Sequence, residues 1–421
     1  MNKTYHIKTY GCAMNTADSN SIRNLLNSHN LKEVQKWQDA DVIILVTCSI
    51  RQQAEDKVSG WGIKANKKIF KNKTVVLTGC MAQRYDRDNN RISEKYRTKL
   101  LKRFPWIDYL LNIQEINKLP ALLKLDNKDL LDNPTINYDQ TNIYQGLFSS
   151  SHGCNNFCSY CIVPYARGEL INFPKEKILN DIKSFVENGG KIVTLLGQNV
   201  NSWKDSNSTF VDLLKEVENI KGDFWINFLS SHPKDFSNEL IELITTHKKF
   251  LKHCNIAVQS GSDRILKLMN RQYEAQKFIN ICKKIKDNNP DFRITTDAIV
   301  GFPTETEDDF QKTVDLVNEC DIEMVYIGKF SPRTGSVAAK LEDDVSLSTK
   351  KRREKRLRKT VNDIRYRKHK NWVGKKLPIL MIEPNKGISY YNHEVITKSE
   401  YEPGKVYELE VKNFTKAGLQ C

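Results

Sequence analysis

The chain has 421 residues, 66 Lys and Arg against 51 Asp and Glu, and a net charge of +15. That length exceeds one ordinary core, so two or three domains are expected, and the basic balance favours a polyanionic partner. No run approaches the roughly eighteen apolar residues of a membrane span, and MNKTYHIKTYGC lacks the apolar stretch of a secretory signal. These features predict a cytoplasmic protein with no membrane partner. In that compartment thiols stay reduced, so the ten cysteines read as metal ligands or redox groups rather than disulfides.

From Tyr5 to about Tyr109, short Val- and Ile-rich runs alternate with amphipathic helical stretches, the pattern of a parallel α/β sheet. The runs YHIKTY (Tyr5–Tyr10), DVIILVT (Asp41–Thr47) and TVVLT (Thr74–Thr78) are each followed within two residues by a cysteine: Cys12, Cys48 and Cys80. Ligands of open α/β sheets bind beyond the carboxyl ends of the strands. Three thiols far apart in sequence are therefore expected at one edge of one sheet. The domain is assigned to residues 1–116. Residues 117–143 lose the alternation, collect Asn and Asp with two prolines, and are expected to form a linker.

A second domain is expected over residues 144–347. Strand-like runs recur there at barrel spacing (LFSSSHG, KIVTLLGQN, DFWINFLSS, CNIAVQSGS, FRITTDAIVGFP, MVYIGKFS) with helical stretches between them. Six or so βα units predict a full or partial (β/α) barrel whose site lies at the C-terminal strand ends. Residues 348–371 form a basic helical connector, with eight Lys or Arg between Lys350 and Lys359. Period-two alternation from Trp372 to Cys421 predicts a small β-barrel of a kind that binds nucleic acid.

GCNNFCSYC places Cys154, Cys158 and Cys161 within eight residues, after the first barrel strand. Structural zinc needs four ligands, and His152 is poorly spaced to be the fourth. Three thiolates on a cubane of four irons leave one iron open to substrate. Both sets, Cys12, Cys48, Cys80 and Cys154, Cys158, Cys161, are compatible with such [4Fe–4S] clusters. Cys254, Cys282, Cys320 and Cys421 show no such grouping in the sequence.

CxxxCxxC with Tyr160 before the third cysteine resembles the signature of radical S-adenosylmethionine enzymes. The whole chain resembles their methylthiotransferase branch, and within it the bacterial tRNA-2-methylthio-N6-dimethylallyladenosine synthases. The matching stretches are YGCAMNTADS, TCSIRQQAEDK, TGCMAQR, GCNNFCSYCIVPYARGE, LLGQNVNSW, SSHPKDF, VQSGSDRILKLMNRQY, TDAIVGFPTETEDDF and SPRTGS. The resemblance implies two [4Fe–4S] clusters and S-adenosylmethionine as radical source and methyl donor. The cluster on Cys154, Cys158 and Cys161 would bind S-adenosylmethionine, whose 5′-deoxyadenosyl radical takes a hydrogen from C2 of an adenine. The cluster on Cys12, Cys48 and Cys80 would deliver the methylthio group. The implied substrate is adenosine 37 of tRNA, beside the anticodon, with an electron donor as second partner and a monomeric enzyme. Cofactor contacts are expected from Tyr160, from Gly197, Gln198 and Asn199 in LLGQN, from Gln259 and Ser260, and from Gly301.

The sister groups acting on threonylcarbamoyl-adenosine 37 or on a ribosomal-protein aspartate share the six cysteines, and the context TCSIR resembles the dimethylallyl-adenosine group. A zinc-stapled RNA-binding protein is the alternative from another class. The chain departs from the family at Phe173 and Asn227, where Arg is usual, and at Asn255 and Ala257, where His and Pro are usual. Its TRAM-like terminal module is short, with GISYYNHE in place of the usual turn.

Overall fold

The computed structural model describes residues 3–49, 52–64, 70, 72–85, 92–125, 143–416 and 418–421. They form two compact units. The first comprises Met1–Thr141, Leu147–Phe157 and Cys161–Asp181; the second comprises Asn142–Gly146, Cys158–Tyr160 and Ile182–Cys421. No helix among the described residues is long and apolar enough to cross a membrane.

The first unit is built on a five-stranded parallel sheet. Strands β1 (Thr4–Tyr10), β2 (Lys32–Glu33), β3 (Val42–Thr47), β4 (Thr74–Gly79) and β5 (Tyr109–Leu110) take the order β2-β1-β3-β4-β5. Every residue of β3, VIILVT, is buried, as expected of a central parallel strand covered on both faces. Alternate side chains go to opposite cores. Ile44 and Val46 join Ile22, Leu25 and Leu26 of helix α1 (Ala13–Ser28) on one face. Ile43 and Leu45 meet Val58 of α2 (Gln52–Lys64) and Leu100 of α3 (Glu94–Arg103) on the other.

The expected linker starts inside this core. Leu119, in the short helix Leu119–Leu122, and Leu123 pack with Ile113 on the α1 face of the sheet. The physical reason is their apolar side chains, which outweigh the Asn- and Asp-rich sequence that follows. The rest of the expected linker, residues 126–142, lies outside the described residues, as do Ile50 and Arg51 of TCSIR.

In the second unit, strands Ile192–Leu196, Trp225–Leu229, His253–Asn255, Arg293–Val300 and Met324–Lys329 run parallel, with bridges from Ile226 to Phe250 and from Ser231 to Ile256 joining the two paired sets. Amphipathic helices follow the strands, giving the partial barrel expected from the sequence. The helix Leu347–Lys370 lies along it, burying Lys350, Arg353, Leu357, Val361 and Ile364 at helical spacing. Beyond it, six short strands from Lys376 to Gln420 form one sheet that curls into a half-barrel, where the sequence suggests a small β-barrel.

Glu323 ties three elements of this unit together. Its Oε1 accepts from Arg293 Nε (2.7 Å) and lies 3.0 Å from His393 Nε2 in the C-terminal sheet, while Lys368 Nζ of the long helix stands 3.5 Å from Oε2. Glu323, His369 and His393 bring three ligand-type atoms within 4.8 Å. Arg293 and Lys368 already compensate the carboxylate, so the cluster reads as a charge-balanced lock rather than a metal site.

Burial, aided by Arg293, lowers the His393 pKa to about 4, so the neutral imidazole is the folded form. A group whose pKa falls on folding contributes stability above its unfolded pKa, about 6.5, and loses it as pH falls towards the folded value. Unfolding in urea, followed by the fluorescence of Trp372 beside His393, is expected to need less denaturant at pH 4.5 than at pH 7.5. That difference should shrink in His393→Gln.

Candidate functional site

The three N-terminal cysteines follow strands that pair in register. Tyr10 of β1 pairs with Thr47 of β3, and Thr47 pairs with Gly79 of β4, so the three strand ends are level. Cys12, Cys48 and Cys80 leave them within two residues. The Cys48 amide donates to the Tyr10 carbonyl (2.8 Å), continuing the ladder to the thiol itself.

Asn15, fully buried in the first turn of α1, holds this edge together. Its Oδ1 accepts from the Cys12 amide (3.3 Å), and its Nδ2 donates to the Thr47 carbonyl (3.4 Å). Gly79 sits at φ +84°, and a Cβ there would stand 2.6 Å from the same carbonyl, so the close approach requires glycine. A hydrogen bond from the Cys48 thiol, against the opposing effect of burial, lowers the Cys12 pKa to about 6.

Arg167 completes the nest. It ends the short helix Val163–Arg167 and is 1 % exposed, with Nε donating to Cys80 Sγ at 3.0 Å. Its other nitrogens bind both carboxylate oxygens of buried Asp18 in α1, one of them at 3.4 Å. Burial opposes the guanidinium charge, but Asp18 and Cys80 more than offset it and keep Arg167 protonated. The carbonyls on either side are also held: Gln83 Nε2 donates to Ala166 O (3.0 Å) and Gln114 Nε2 to Arg167 O (2.8 Å).

The loop carrying Cys154, Cys158 and Cys161 contributes to both units. In the first, the Cys154 amide donates to the Gly168 carbonyl (3.3 Å), and Cys161 Sγ accepts from the Val163 amide (3.4 Å). His152 turns to Phe173 (ring centroids 5.1 Å, edge-on) and to Arg167 Nη1 (3.4 Å), which gives Phe173 a packing role where the family usually has Arg. In the second unit, Arg271 Nη1 donates to Cys158 Sγ (3.4 Å), while its Nη2 binds the Ala257 carbonyl. Ser159 is anchored by Leu268 O (2.7 Å) and Met269 O (3.0 Å). Tyr160 packs on a cluster of Ile265, Met269, Phe302 and Phe330.

At the ends of the barrel strands the expected cofactor residues divide. Gly197, Gln198 and Asn199 follow Ile192–Leu196. Asn199 Nδ2 donates to Asp235 (2.7 Å), but Asn199 Oδ1 and Gln198 Oε1 are buried with no hydrogen-bond partner among the described residues, as is Ser231 Oγ at the next strand. Gln259 adopts φ +72°, and both its amide and its carbonyl bond the neighbouring strand.

Ser260 and Gly301 also make contacts within the protein. The Ser260 hydroxyl meets Thr313 (3.4 Å) and the Ser262 amide (3.2 Å). Gly301, at φ +69°, donates its amide to Glu305 (2.6 Å), and a Cβ there would strike the Lys350 side chain at 2.3 Å. Both serve the packing of helices on the barrel. Two further departures are polar interior positions: Asn227 faces His253 (3.3 Å), and Asn255 bonds Thr295 (3.2 Å) and Asp297 (3.3 Å).

Cys282 and Cys320, ungrouped in sequence, share a hydrogen bond, and Cys254 lies close enough to act on Cys282; burial holds the Cys282 thiol protonated, as suits packing residues. The basic helix is largely neutralised by its own unit. Lys350 binds Asp343 (2.6 Å), Arg353 binds Glu305 (2.7 Å), Arg356 binds Glu307 (2.9 Å), and Arg367 binds Asp321. Lys351, Lys355, Lys359 and Lys370 are exposed, with no ion pair among the described residues.

Residues 148–317 match the family model of the Radical SAM superfamily, and residues 4–108 match that of the Uncharacterized protein family UPF0004. The fold and thiols thus define a radical SAM enzyme with an added N-terminal α/β domain. A tRNA-2-methylthio-N(6)-dimethylallyladenosine synthase of Caldicellulosiruptor saccharolyticus is 39% identical over 90% of this chain and 82% of its own length. One of Thermodesulfovibrio yellowstonii is 34% identical over 99% of this chain and 98% of its own. The chain belongs to this family. Among solved structures, the cobalamin-dependent S-adenosylmethionine radical enzyme OxsB shares the fold, with a TM-score of 0.53 at 10% identity over 86% of this chain and 56% of that one.

Arg167, Asp18, Asn15 and Arg271 are the site residues that cysteine spacing does not reveal, although all four fall within the stretches quoted for the resemblance. Replacing Asn15 by alanine leaves the Thr47 carbonyl and the Cys12 amide short of a partner. Asn15→Ala is expected to lower stability by about 1–3 kcal/mol, measured as a shift in the urea midpoint of the cluster-free protein.

Proposed function

We propose that this chain installs a methylthio group at C2 of N6-dimethylallyladenosine 37 of tRNA, with two [4Fe–4S] clusters and S-adenosylmethionine as radical source and methyl donor. The observation that carries this is the pairing register that sets Cys12, Cys48 and Cys80 just beyond three level strand ends, a second set of three cysteines in addition to the CxxxCxxC of the superfamily.

The donor sets suit such clusters. Each offers three sulfurs, and His152, poorly spaced to be a fourth ligand, is engaged by Phe173 and Arg167. The clusters, when bound, supply the electron that cleaves S-adenosylmethionine to its 5′-deoxyadenosyl radical and an open iron that carries sulfur. The protein's part is to hold and orient. Arg271 and the Val163 amide donate to Cys158 and Cys161 and so offset the negative charge the loop presents once its sulfurs bind a cluster. The unpartnered Gln198 Oε1 and Asn199 Oδ1 are acceptors suited to the amino group of S-adenosylmethionine, with Gly197 and Gln259 shaping the same strand ends and Tyr160 offering a ring beside its adenine.

The tRNA assignment rests on the names of the relatives and on the charge of +15. Lys351, Lys355, Lys359 and Lys370 are the cations of the long helix left to meet phosphates. An anticodon loop exposes its bases without a duplex to melt, which suits a buried reaction site.

Anaerobic reconstitution is expected to give about eight irons per chain, falling to about four in Cys12→Ala/Cys48→Ala/Cys80→Ala. With S-adenosylmethionine and dithionite, the wild type should convert dimethylallyl-tRNA to its 2-methylthio form by nucleoside mass spectrometry, and the triple variant should not. Four irons in both proteins would remove the second cluster. Activity only on threonylcarbamoyl-tRNA or a ribosomal-protein aspartate would move the substrate to a sister group.

A further inference from the structure

The buried ion pair beside Cys80 is the feature that the thiol sets alone do not explain. Arg167 and Asp18 are 1 % and 4 % exposed, and they come from stretches 149 residues apart. A buried pair of this kind stabilises a fold little compared with apolar residues of the same volume, because both charges lose their hydration. Its geometry instead aims one N–H, Nε, at the sulfur of Cys80 (3.0 Å), while the other edge of the guanidinium is fixed on Asp18. Bidentate pairing fixes the plane of an arginine, so the direction of that third N–H follows from Asp18.

We propose that Arg167 is a positioning residue that sets the reduction potential of the N-terminal cluster through its hydrogen bond to Cys80, with Asp18 holding the guanidinium in place and limiting its net charge. The inference rests on the reading that Cys12, Cys48 and Cys80 hold a cluster.

The direction of each effect follows from electrostatics. An N–H donor on a cluster sulfur stabilises the reduced, more negative state, so its loss makes the potential more negative. Asp18 opposes that effect by neutralising the guanidinium, so its removal makes the potential more positive. A pair that only supported the fold would shift the potential little, or in the same direction for either substitution. The same short helix also carries the Val163 amide that donates to Cys161, so residues 161–167 supply a hydrogen bond to a thiol of each set.

The test uses the full chain with Cys154→Ala/Cys158→Ala/Cys161→Ala, which leaves the N-terminal thiols alone to bind iron. After anaerobic reconstitution, iron is counted, and the one-electron midpoint is measured by mediated titration with dithionite, read by electron paramagnetic resonance. Arg167→Gln is expected to lower the midpoint by an amount equal to at least tenfold in the reduction equilibrium, about 59 mV for one electron. Asp18→Asn is expected to raise it.

Asp18→Asn/Arg167→Gln removes both charges together and is expected to fall below Asp18→Asn. It supplies the comparison should the single Gln variant fail to hold iron. About four irons with unchanged midpoints, or with shifts of one sign in both single variants, would overturn the role of Arg167. No iron in the parent would overturn the two-cluster reading itself, and this inference with it.

Discussion

The arrangement of the N-terminal half depends on the register of three parallel strands. Because Tyr10, Thr47 and Gly79 pair side by side, the residues that follow them start from one level. A slip of two residues between β1 and β3 would keep every side chain on its face, yet would carry Cys12 about 6–7 Å away from Cys48. Register of that accuracy is held by the buried run of β3, whose alternate residues fill two different cores, and by Asn15, which reaches from α1 to the carbonyl at the end of β3.

The second unit reaches comparable order by a different route. Part of its interior is polar, with Asn227, His253, Asn255 and Thr295 linked by hydrogen bonds. Stability there comes from helices laid on the outside, and the longest of them uses its positive charge inward. Lys350 and Arg353 reach the turns after strand Arg293–Val300, where Gly301 leaves room and Glu305 supplies the opposite charge. A segment that reads as a phosphate-tracking surface is in large part a strut. Four lysines on its outer face keep the charge that the strut does not consume.

Three of the six thiols are met by N–H donors, while the Cys12 thiol faces Asn15 Oδ1 (3.5 Å). Arg167 donates to Cys80, Arg271 to Cys158, and the Val163 amide to Cys161. Cationic and amide donors offset the negative charge of thiolates held away from water, which a buried site otherwise penalises. The departures from the family fit around these contacts. Phe173 gives up a charge but covers His152, and Ala257 donates its amide to the Ser231 carbonyl (3.0 Å), a bond that proline could not make.

The sequence by itself determined the α/β class, the strand runs, both thiol sets and the likeness to a radical methylthiotransferase, because periodicity and cysteine placement are local patterns that survive without coordinates. It also exposed Gly197, Gln198 and Asn199 as a strand end with amides to offer. Only the tertiary structure decided which residues serve those thiols. Arg167 and Asp18 stand far apart in the chain, and nothing in either stretch announces their pairing; a long-range ion pair leaves no periodic trace. The same holds for the packing contacts of Ser260 with Thr313 and of Gly301 with Lys350, which show only once the facing helices are in place. Leu119 and Leu123 likewise look like the start of a linker until the sheet face they cover is in place.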